Sequence, residues 1–334
     1  MTNKKKSTSF LDVDSRKAMK TVGKVSSESN LYPELISTNN FFDIIDIDRN
    51  SSSEGLLKDI DQADLKYRLL TEMETENLYS EIKSTIESGK LSKSGPEKLK
   101  IWEKGWGENL SNFIVSQKIS SLKPKFVRND LIKRLKGQYI IPRNSEFESV
   151  FFSLIRRAVF EKYFTLCDSI YEFGAGTGHN LIAFRQYDSS KKLIGTDWSE
   201  QAVNLMHELN KIKGMNIESF TFDMFKPNLN LQLNKSSGVL TVGALEQLGS
   251  NFWPFLFFLI RQKKVKYFVH FETFNEFYKS DTPEDRLAKD YCRKRNYING
   301  FISALDFLQS YGIIEVVQKT RTFGSQFHEG YSFV

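Results

Sequence analysis

The chain has 334 residues, of which 40% are hydrophobic and 26% are charged, a composition typical of a globular protein with one large domain or two smaller ones. Its net charge of +6 arises from 47 basic and 41 acidic residues that are mostly interspersed, which is only weak evidence for a polyanionic partner, so a nucleic-acid partner is not expected. The longest apolar run, FWPFLFFLI at residues 252–260, is about half the length of a membrane-spanning helix, and no signal peptide is recognisable. We therefore expect a cytoplasmic protein with no membrane partner.

The two cysteines, Cys167 and Cys292, lie far apart and show no CxxC or Cys/His spacing. This pattern predicts neither a disulfide framework nor a metal site. Both residues are expected to be reduced, buried thiols.

Residues 1–53 are rich in Ser, Asn, Lys and Asp, which predicts a largely flexible N-terminal segment. The exception is LYPELISTNNFFDIIDI at residues 31–47, whose apolar side chains favour docking on the main body.

Residues 54–146 are predicted to form a helical cap. Apolar residues recur at spacings of three and four in the first part, and EKLKIWEKGWGENLSNFIV follows Pro96 as a second helical stretch. A further helix is predicted in SEFESVFFSLIRRAVFEKYF, where Ser145 and Glu148 have the spacing of a capping box.

After about residue 165, short apolar runs alternate with helical stretches, as in a parallel sheet covered by helices. The predicted strands are SIYEFG, KLIGTD, IESFTFD, GVLTVG, KYFVHFE, IIEVVQKT and EGYSFV. Only RTFGSQFH separates the last two, so they are expected to pair antiparallel. The α/β domain is assigned to residues 147–334.

The first of these strands ends in three glycines, Gly174, Gly176 and Gly178. A glycine-rich turn between a strand and a helix lets backbone N–H groups approach a ligand closely. The GxGxG spacing differs from the GxGxxG fingerprint of dinucleotide-binding proteins, because His179 occupies the place of its third glycine. No Gly-Lys-Ser/Thr follows, so the stretch is not a P-loop either.

The stretch Glu172-x-Gly174-x-Gly176-x-Gly178 resembles the first motif of the class I S-adenosylmethionine-dependent methyltransferases. This resemblance implies S-adenosyl-L-methionine as the cofactor and these four residues as part of its site. It also implies a Rossmann-like, seven-stranded sheet with an antiparallel last strand over residues 147–334.

Two downstream positions match the same family. In LIGTDWSEQAV, Asp197 ends the next strand, where an acidic side chain can accept hydrogen bonds from both ribose hydroxyls, and Trp198 offers a flat face. In FTFDMF, Asp223 and Met224 match the family's adenine-binding position.

The stretch ALEQL resembles the LEH sequence that many of these enzymes carry at the mouth of the pocket, with Gln247 in place of His. An amide can orient a substrate but cannot take its proton. The strings IWEKGWGENL, RLKGQYIIPRNSEFESVFF and RTFGSQFHEGYSFV also resemble bacterial proteins described as methyltransferases, some of them as sugar O-methyltransferases.

Methylation of a hydroxyl or an ammonium group needs a base near the carboxyl ends of the strands. The candidates are Glu246 after the fourth strand, His270 and Glu272 on the fifth, and His328 at the start of the last. For each of them, a structural polar role is the alternative.

Substrate binding is predicted for Gln247 and for three residues of the cap, Trp106, Tyr139 and Arg143, with Trp102 and Arg134 as further members of the same group. These aromatic and cationic groups would shape a lid over the acceptor. The alternative is that the tryptophans pack the cap onto the core.

The leading interpretation is a bacterial enzyme that methylates an oxygen or nitrogen of a small molecule, such as a sugar or a peptidic natural product. One alternative is an RNA or protein methyltransferase, which the basic charge favours and the lack of a recognisable RNA-binding module opposes. Another is a catalytically silent scaffold that binds the cofactor, which Gln247 leaves open. The segment FWPFLFFLI predicts a core helix, the alternative being a homodimer contact.

Overall fold

The computed structural model describes residues 31–122 and 131–334, so the predictions for residues 1–30 and 123–130 lie outside it. The helices are α1 (Thr38–Ile45), α2 (Glu54–Gln62), α3 (Glu72–Glu87), α4 (Leu99–Ser116), α5 (Phe147–Val159), α6 (His179–Tyr187), α7 (Glu200–Lys213), α8 (Trp253–Ile260), α9 (Pro283–Arg295) and α10 (Phe301–Ser310). The strands are β1 (Glu34–Leu35), β2 (Lys66–Leu69), β3 (Lys133–Leu135), β4 (Gln138–Pro142), β5 (Ser169–Phe173), β6 (Lys192–Asp197), β7 (Ile217–Thr221), β8 (Ser237–Val242), β9 (Val265–Phe271) and β10 (Phe323–Ser325).

A five-stranded sheet in the order β7-β6-β5-β8-β9, with every neighbouring pair parallel, forms the centre of the α/β part. Its strands confirm the first five predicted from the sequence. The chain runs outward from β5 in both directions, so the crevice at the carboxyl ends of β5, β6 and β8 is the place where such sheets bind ligands.

The two remaining predicted strands are not formed as strands in the structure. Phe333 makes isolated antiparallel bridges to Phe271 and to Thr320. Val334 exchanges two backbone hydrogen bonds with His270, of 2.9 and 3.1 Å. The contacts of Phe333 and Val334 with the two neighbouring segments are therefore antiparallel, as predicted. They do not extend into a hairpin of two strands, because residues 323–325, which follow Thr320, pair with β3 in a second sheet.

This second sheet, in the order β1-β2-β4-β3-β10, is antiparallel in every pair. Its presence corrects the expectation that the N-terminal half is helical. Strands β3 and β4 are joined by Lys136 and Gly137, both at positive φ (47° and 92°), which is the geometry of a two-residue hairpin turn. The stretch RLKGQYIIP carried this signal, and the sequence interpretation missed it.

The segment predicted to dock on the main body does so. Phe41 and Ile45 of α1 are fully buried, and Phe41 packs edge-on against Phe151 of α5. The apolar run at 252–260 forms α8, whose Phe255 and Phe258 are buried, so the core-helix prediction is confirmed. Over residues 31–122 and 131–334, no helix combines the length and apolar character that crossing a membrane requires.

Candidate functional site

A cleft lies at the carboxyl ends of β5, β6 and β8, roofed by the N-terminal half of α4 and flanked by α5. The sequence-predicted residues that line it are Trp106, Glu172, Gly174, Gly176, Asp197, Trp198, Met224 and Gln247. The structure thus brings together residues from five separate segments of the chain.

The glycine loop forms the floor of the cleft. Gly174 and Gly176 have φ values of 73° and 53°, in the left-handed region that disfavours other residues. A Cβ atom on Gly174 would lie 2.4 Å from the Cβ of Ala244 at the end of β8. Gly178, at φ 71°, is the N-cap of α6 and does not itself line the cleft. The loop therefore needs its glycines both for backbone conformation and for close packing.

Asp197 is held against the glycine loop. Its Oδ2 accepts a hydrogen bond from the Gly176 N–H and its Oδ1 accepts one from the Ser199 N–H, both of 2.9 Å. Burial raises the pKa of this carboxyl to about 6, although the two backbone hydrogen bonds oppose the shift. The next residue, Trp198, lies 5.5 Å from Phe225 between ring centroids, and both rings line the cleft.

Glu172 belongs to a buried polar cluster at the end of β5. Its Oε1 accepts a hydrogen bond of 2.7 Å from Asn180 Nδ2, and Asn180 Oδ1 accepts one of 2.7 Å from Arg156 Nη1. Burial raises the pKa of Glu172 to about 8 and lowers the pKa of Arg156. Glu172 Oε2 and Arg156 Nε are buried and have no hydrogen-bond partner among the described residues. A cleft that presents one carboxyl oxygen and one guanidinium nitrogen of this kind is suited to a ligand that carries a positive and a negative group.

Glu148 occupies another part of the cleft lining. The predicted capping box is absent, because α5 begins at Phe147 with Glu146 as its N-cap and no side chain caps the helix. Glu148 Oε2 instead pairs with Lys133 Nζ, and Glu148 Oε1 accepts a hydrogen bond of 2.7 Å from the Tyr331 hydroxyl. Burial and the neighbouring Glu148 raise the pKa of Tyr331.

Like Gly178, the predicted cofactor residue Asp223 does not line the cleft, although the next two residues, Met224 and Phe225, do. Its Oδ1 accepts a hydrogen bond of 2.8 Å from the Phe225 N–H, which fixes the turn after β7.

The two predicted carboxylate bases lie behind the cleft wall. Glu272 is fully buried, and its carboxylate accepts backbone hydrogen bonds of 3.0–3.1 Å from Ala244, Leu245 and Glu246. Burial and the charge of Glu246 raise the pKa of Glu272 to about 8, and burial also raises the pKa of Glu246. The structure thus places Glu272 where it caps the short 3₁₀ helix that carries Gln247, and neither carboxylate lines the cleft.

The two predicted histidines are also absent from the lining. His270 Nδ1 is 3.0 Å from the Thr241 hydroxyl, and His328 Nδ1 is 2.9 Å from the Thr273 hydroxyl. Burial lowers the pKa of each ring to about 3, with nearby arginines contributing at His328. Neutral rings that are hydrogen-bonded to threonines fit a structural role.

The four predicted substrate residues separate into two groups. Trp106 and Gln247 line the cleft, and Gln247 Oε1 accepts a hydrogen bond of 2.8 Å from the Ser94 hydroxyl. Tyr139 lies on β4 of the second sheet and is buried away from the cleft. Arg143 follows directly after β4 and forms an ion pair of 2.9 Å with Asp64.

The cleft residues that were not predicted from the sequence include four polar ones that matter for its chemistry: Arg156, Asn180, Glu148 and Tyr331. Arg156 and Glu148 lie two helical turns apart on α5 and face the cleft together with Phe152. The spacing of Phe152 and Arg156, four and eight residues after Glu148, was visible in the sequence. Only the packing of α5 shows that the face carrying them meets the glycine loop.

No known protein family matches the chain, and no curated protein matches it. Among solved structures, a SAM-dependent methyltransferase from Aquifex aeolicus shares 18% identity, over 53% of this chain and 86% of that one, with a TM-score of 0.36. The CMeT domain of the citrinin polyketide synthase shares 14% identity over 57% and 52%, with a TM-score of 0.39. An O-methyltransferase family 2 protein from Planctomyces limnophilus, in complex with apigenin, shares 10% identity over 49% and 48%, with a TM-score of 0.37. The chain spans about half the length of the last two.

Proposed function

We propose that the cleft binds S-adenosyl-L-methionine and that the protein transfers a methyl group to an oxygen or nitrogen of a small molecule. The observation that carries this proposal is a pair of buried atoms, Glu172 Oε2 and Arg156 Nε, that have no hydrogen-bond partner within residues 31–122 and 131–334. A carboxylate and a guanidinium bridged by Asn180 match the ammonium and carboxylate groups of an amino acid. The cofactor carries such a zwitterion at one end.

The other end of the cleft suits an adenosine. Asp197 is fixed by two backbone N–H groups and retains lone pairs that can accept hydrogen bonds from ribose hydroxyls. The rings of Trp198 and Phe225 offer flat faces for an adenine base. The lining residues therefore fit both ends of the cofactor.

The bound cofactor would supply an electrophilic methyl carbon on a sulfonium. The residues of the chain would position the acceptor in line with the methyl carbon and exclude water, and such alignment can supply about 7–11 kcal/mol of the barrier. Glu148 Oε1 would take up the proton lost by the acceptor, because its carboxylate lines the cleft and is not among the groups assigned to the cofactor. The Tyr331 hydroxyl, already hydrogen-bonded to Oε1, would relay that proton.

A small acceptor is favoured because Trp102 and Trp106 cover the cleft from α4, which leaves little room for a folded macromolecule. The resemblance of the flanking sequences to proteins described as sugar O-methyltransferases favours a sugar, with a peptidic natural product as the other candidate acceptor.

The direct test is calorimetric titration with S-adenosylmethionine and with 5′-methylthioadenosine, which lacks the amino-acid end, on wild type and on Arg156→Gln. Wild type is expected to prefer S-adenosylmethionine by at least about tenfold, and the variant to lose the preference. Radiolabelled methyl groups should then enter the dialysable fraction of a bacterial extract. Absence of S-adenosylmethionine binding by wild type would refute the proposal, and label confined to RNA or protein would refute its small-molecule part.

A further inference from the structure

Helix α4 crosses the cleft and is fixed on both sides of it. Near its C-terminal end, Phe113 is fully buried in the main core. Before its N-terminal end, Ser94 donates a backbone hydrogen bond of 2.7 Å to the Arg295 carbonyl, and its hydroxyl donates one of 2.8 Å to Gln247. The segment between these two anchors therefore lies over the glycine loop.

Two tryptophans on this segment face the cleft. Trp102 and Trp106 are one turn apart, with ring centroids 5.5 Å apart and an interplanar angle of 22°. Trp106 is 9% exposed, and a Cβ atom on Gly176 would lie 2.8 Å from its ring. The indole of Trp106 therefore rests directly on the loop whose N–H group holds Asp197.

A third residue of α4 fastens the helix to α7. Glu103 Oε1 accepts a hydrogen bond of 3.2 Å from the backbone N–H of Gln201, in the first turn of α7, where a negative charge is favoured. Gly107, one turn further along α4, lies beside the Gln201 side chain and allows the two helices to approach closely. The charge of Glu103 also contributes to raising the pKa of Asp197, after burial.

We infer that Trp102 and Trp106 are cofactor-binding residues, which close over S-adenosylmethionine at the glycine loop, and that Glu103 holds α4 in this closed position. The inference rests on the proposed function and deepens it, because it assigns the cap tryptophans to the cofactor instead of the acceptor. Trp106 contacts Gly176 and so covers the segment of the loop that faces the ribose. The cofactor product, S-adenosylhomocysteine, then leaves only when the N-terminal half of α4 moves away.

The test is the dissociation rate of radiolabelled S-adenosylhomocysteine, displaced by an excess of unlabelled ligand, which requires no acceptor. Trp106→Ala and Trp102→Ala are expected to raise the rate by at least about tenfold, through loss of the aromatic cover. Glu103→Gln is expected to raise it by about threefold, because the charge at the helix N-terminus is removed while the side-chain volume is kept.

Trp253→Ala is the matched control, since Trp253 lies on α8, is 51% exposed and does not line the cleft. Circular dichroism establishes that each variant is folded, and Trp102→Ala and Glu103→Gln carry the test if Trp106→Ala is not. Dissociation rates within twofold of wild type in the folded variants would overturn the inference while leaving the proposed function intact. Failure of wild type to bind S-adenosylhomocysteine or S-adenosylmethionine would instead refute the proposed function, and this inference with it.

Discussion

The backbone N–H of Gly176 donates a hydrogen bond of 2.9 Å to Asp197 Oδ2, so the glycine loop and the end of β6 are fixed to each other before any ligand binds. The second carboxylate oxygen accepts from Ser199 at the start of α7. An acidic side chain held by two backbone donors has few alternative rotamers. We therefore expect little reorganisation of Asp197 when a ribose approaches.

Asp197→Ala is expected to weaken S-adenosylhomocysteine binding by at least about 30-fold, because hydrogen bonds to a charged group contribute roughly 1.5–3 kcal/mol each. Calorimetric titration measures the change. The matched control is Asp188→Ala, since the Asp188 carboxylate accepts hydrogen bonds from Ser190, pairs with Lys191 and does not line the cleft. Equal affinities of the two variants for S-adenosylhomocysteine would mean that Asp197 is not part of the binding site.

The affinity for S-adenosylhomocysteine is expected to rise with pH up to about 8. The pKa of Glu172 is raised to about 8 by burial, so the carboxyl is largely neutral at pH 6.5 and must release a proton to pair with an ammonium. Below the pKa, affinity should therefore increase by up to about tenfold per pH unit. Titrations between pH 6.5 and 8 measure the slope.

Glu172→Gln should abolish this dependence, because the amide keeps the size of the side chain and cannot ionise. In the wild type, 5′-methylthioadenosine should show no comparable slope, since it has no ammonium group. A slope shared by both ligands would assign the proton to another group, Asp197 being the first candidate with its pKa of about 6.

The parallel sheet and half of the cleft could be predicted because their signals are local. Runs of apolar residues predicted β5 to β9, and the glycines predicted the loop. Glu172 and Asp197 were then found from their positions relative to that loop. Arg156 and Asn180 could not be predicted in the same way, since they reach Glu172 from two helices whose rotation is set by packing. Side-chain alternation places His270 of β9 and Glu272, which follows the strand, on one face, but the sequence pattern does not show that this face points away from the cleft.

Glu272 is expected to act on stability and not as a base. Glu272→Ala would leave three buried backbone N–H groups without an acceptor, at about 1–3 kcal/mol for each, and should lower the free energy of unfolding by about 3 kcal/mol or more. Urea denaturation measures the loss. Glu272→Gln keeps an acceptor oxygen and should recover part of the stability. Unchanged stability in Glu272→Ala, together with intact cofactor binding, would reopen a catalytic role.

Alanine substitutions at two glycines of the cleft would distinguish the cost of backbone strain from the cost of steric contact. Gly174 and Gly243 have similar φ values, 73° and 61°, so alanine at either position should cost about 1–2 kcal/mol of unfolding free energy for its left-handed backbone. At Gly174 the new Cβ would lie 2.4 Å from the Ala244 Cβ, whereas at Gly243 no atom of the described part of the chain lies within 4 Å of it. Gly174→Ala should therefore lose a further 1–3 kcal/mol, roughly the cost of overpacking, and displace the turn that carries Gln247.

Urea denaturation of the two variants measures this difference, and calorimetric titration shows whether the displaced turn weakens cofactor binding. Equal stability losses would mean that Ala244 moves aside at little cost, and that only the conformation of the loop requires glycine at position 174. A larger loss at Gly243 would contradict the close contact between the loop and the end of β8, on which the shape of the cleft floor depends.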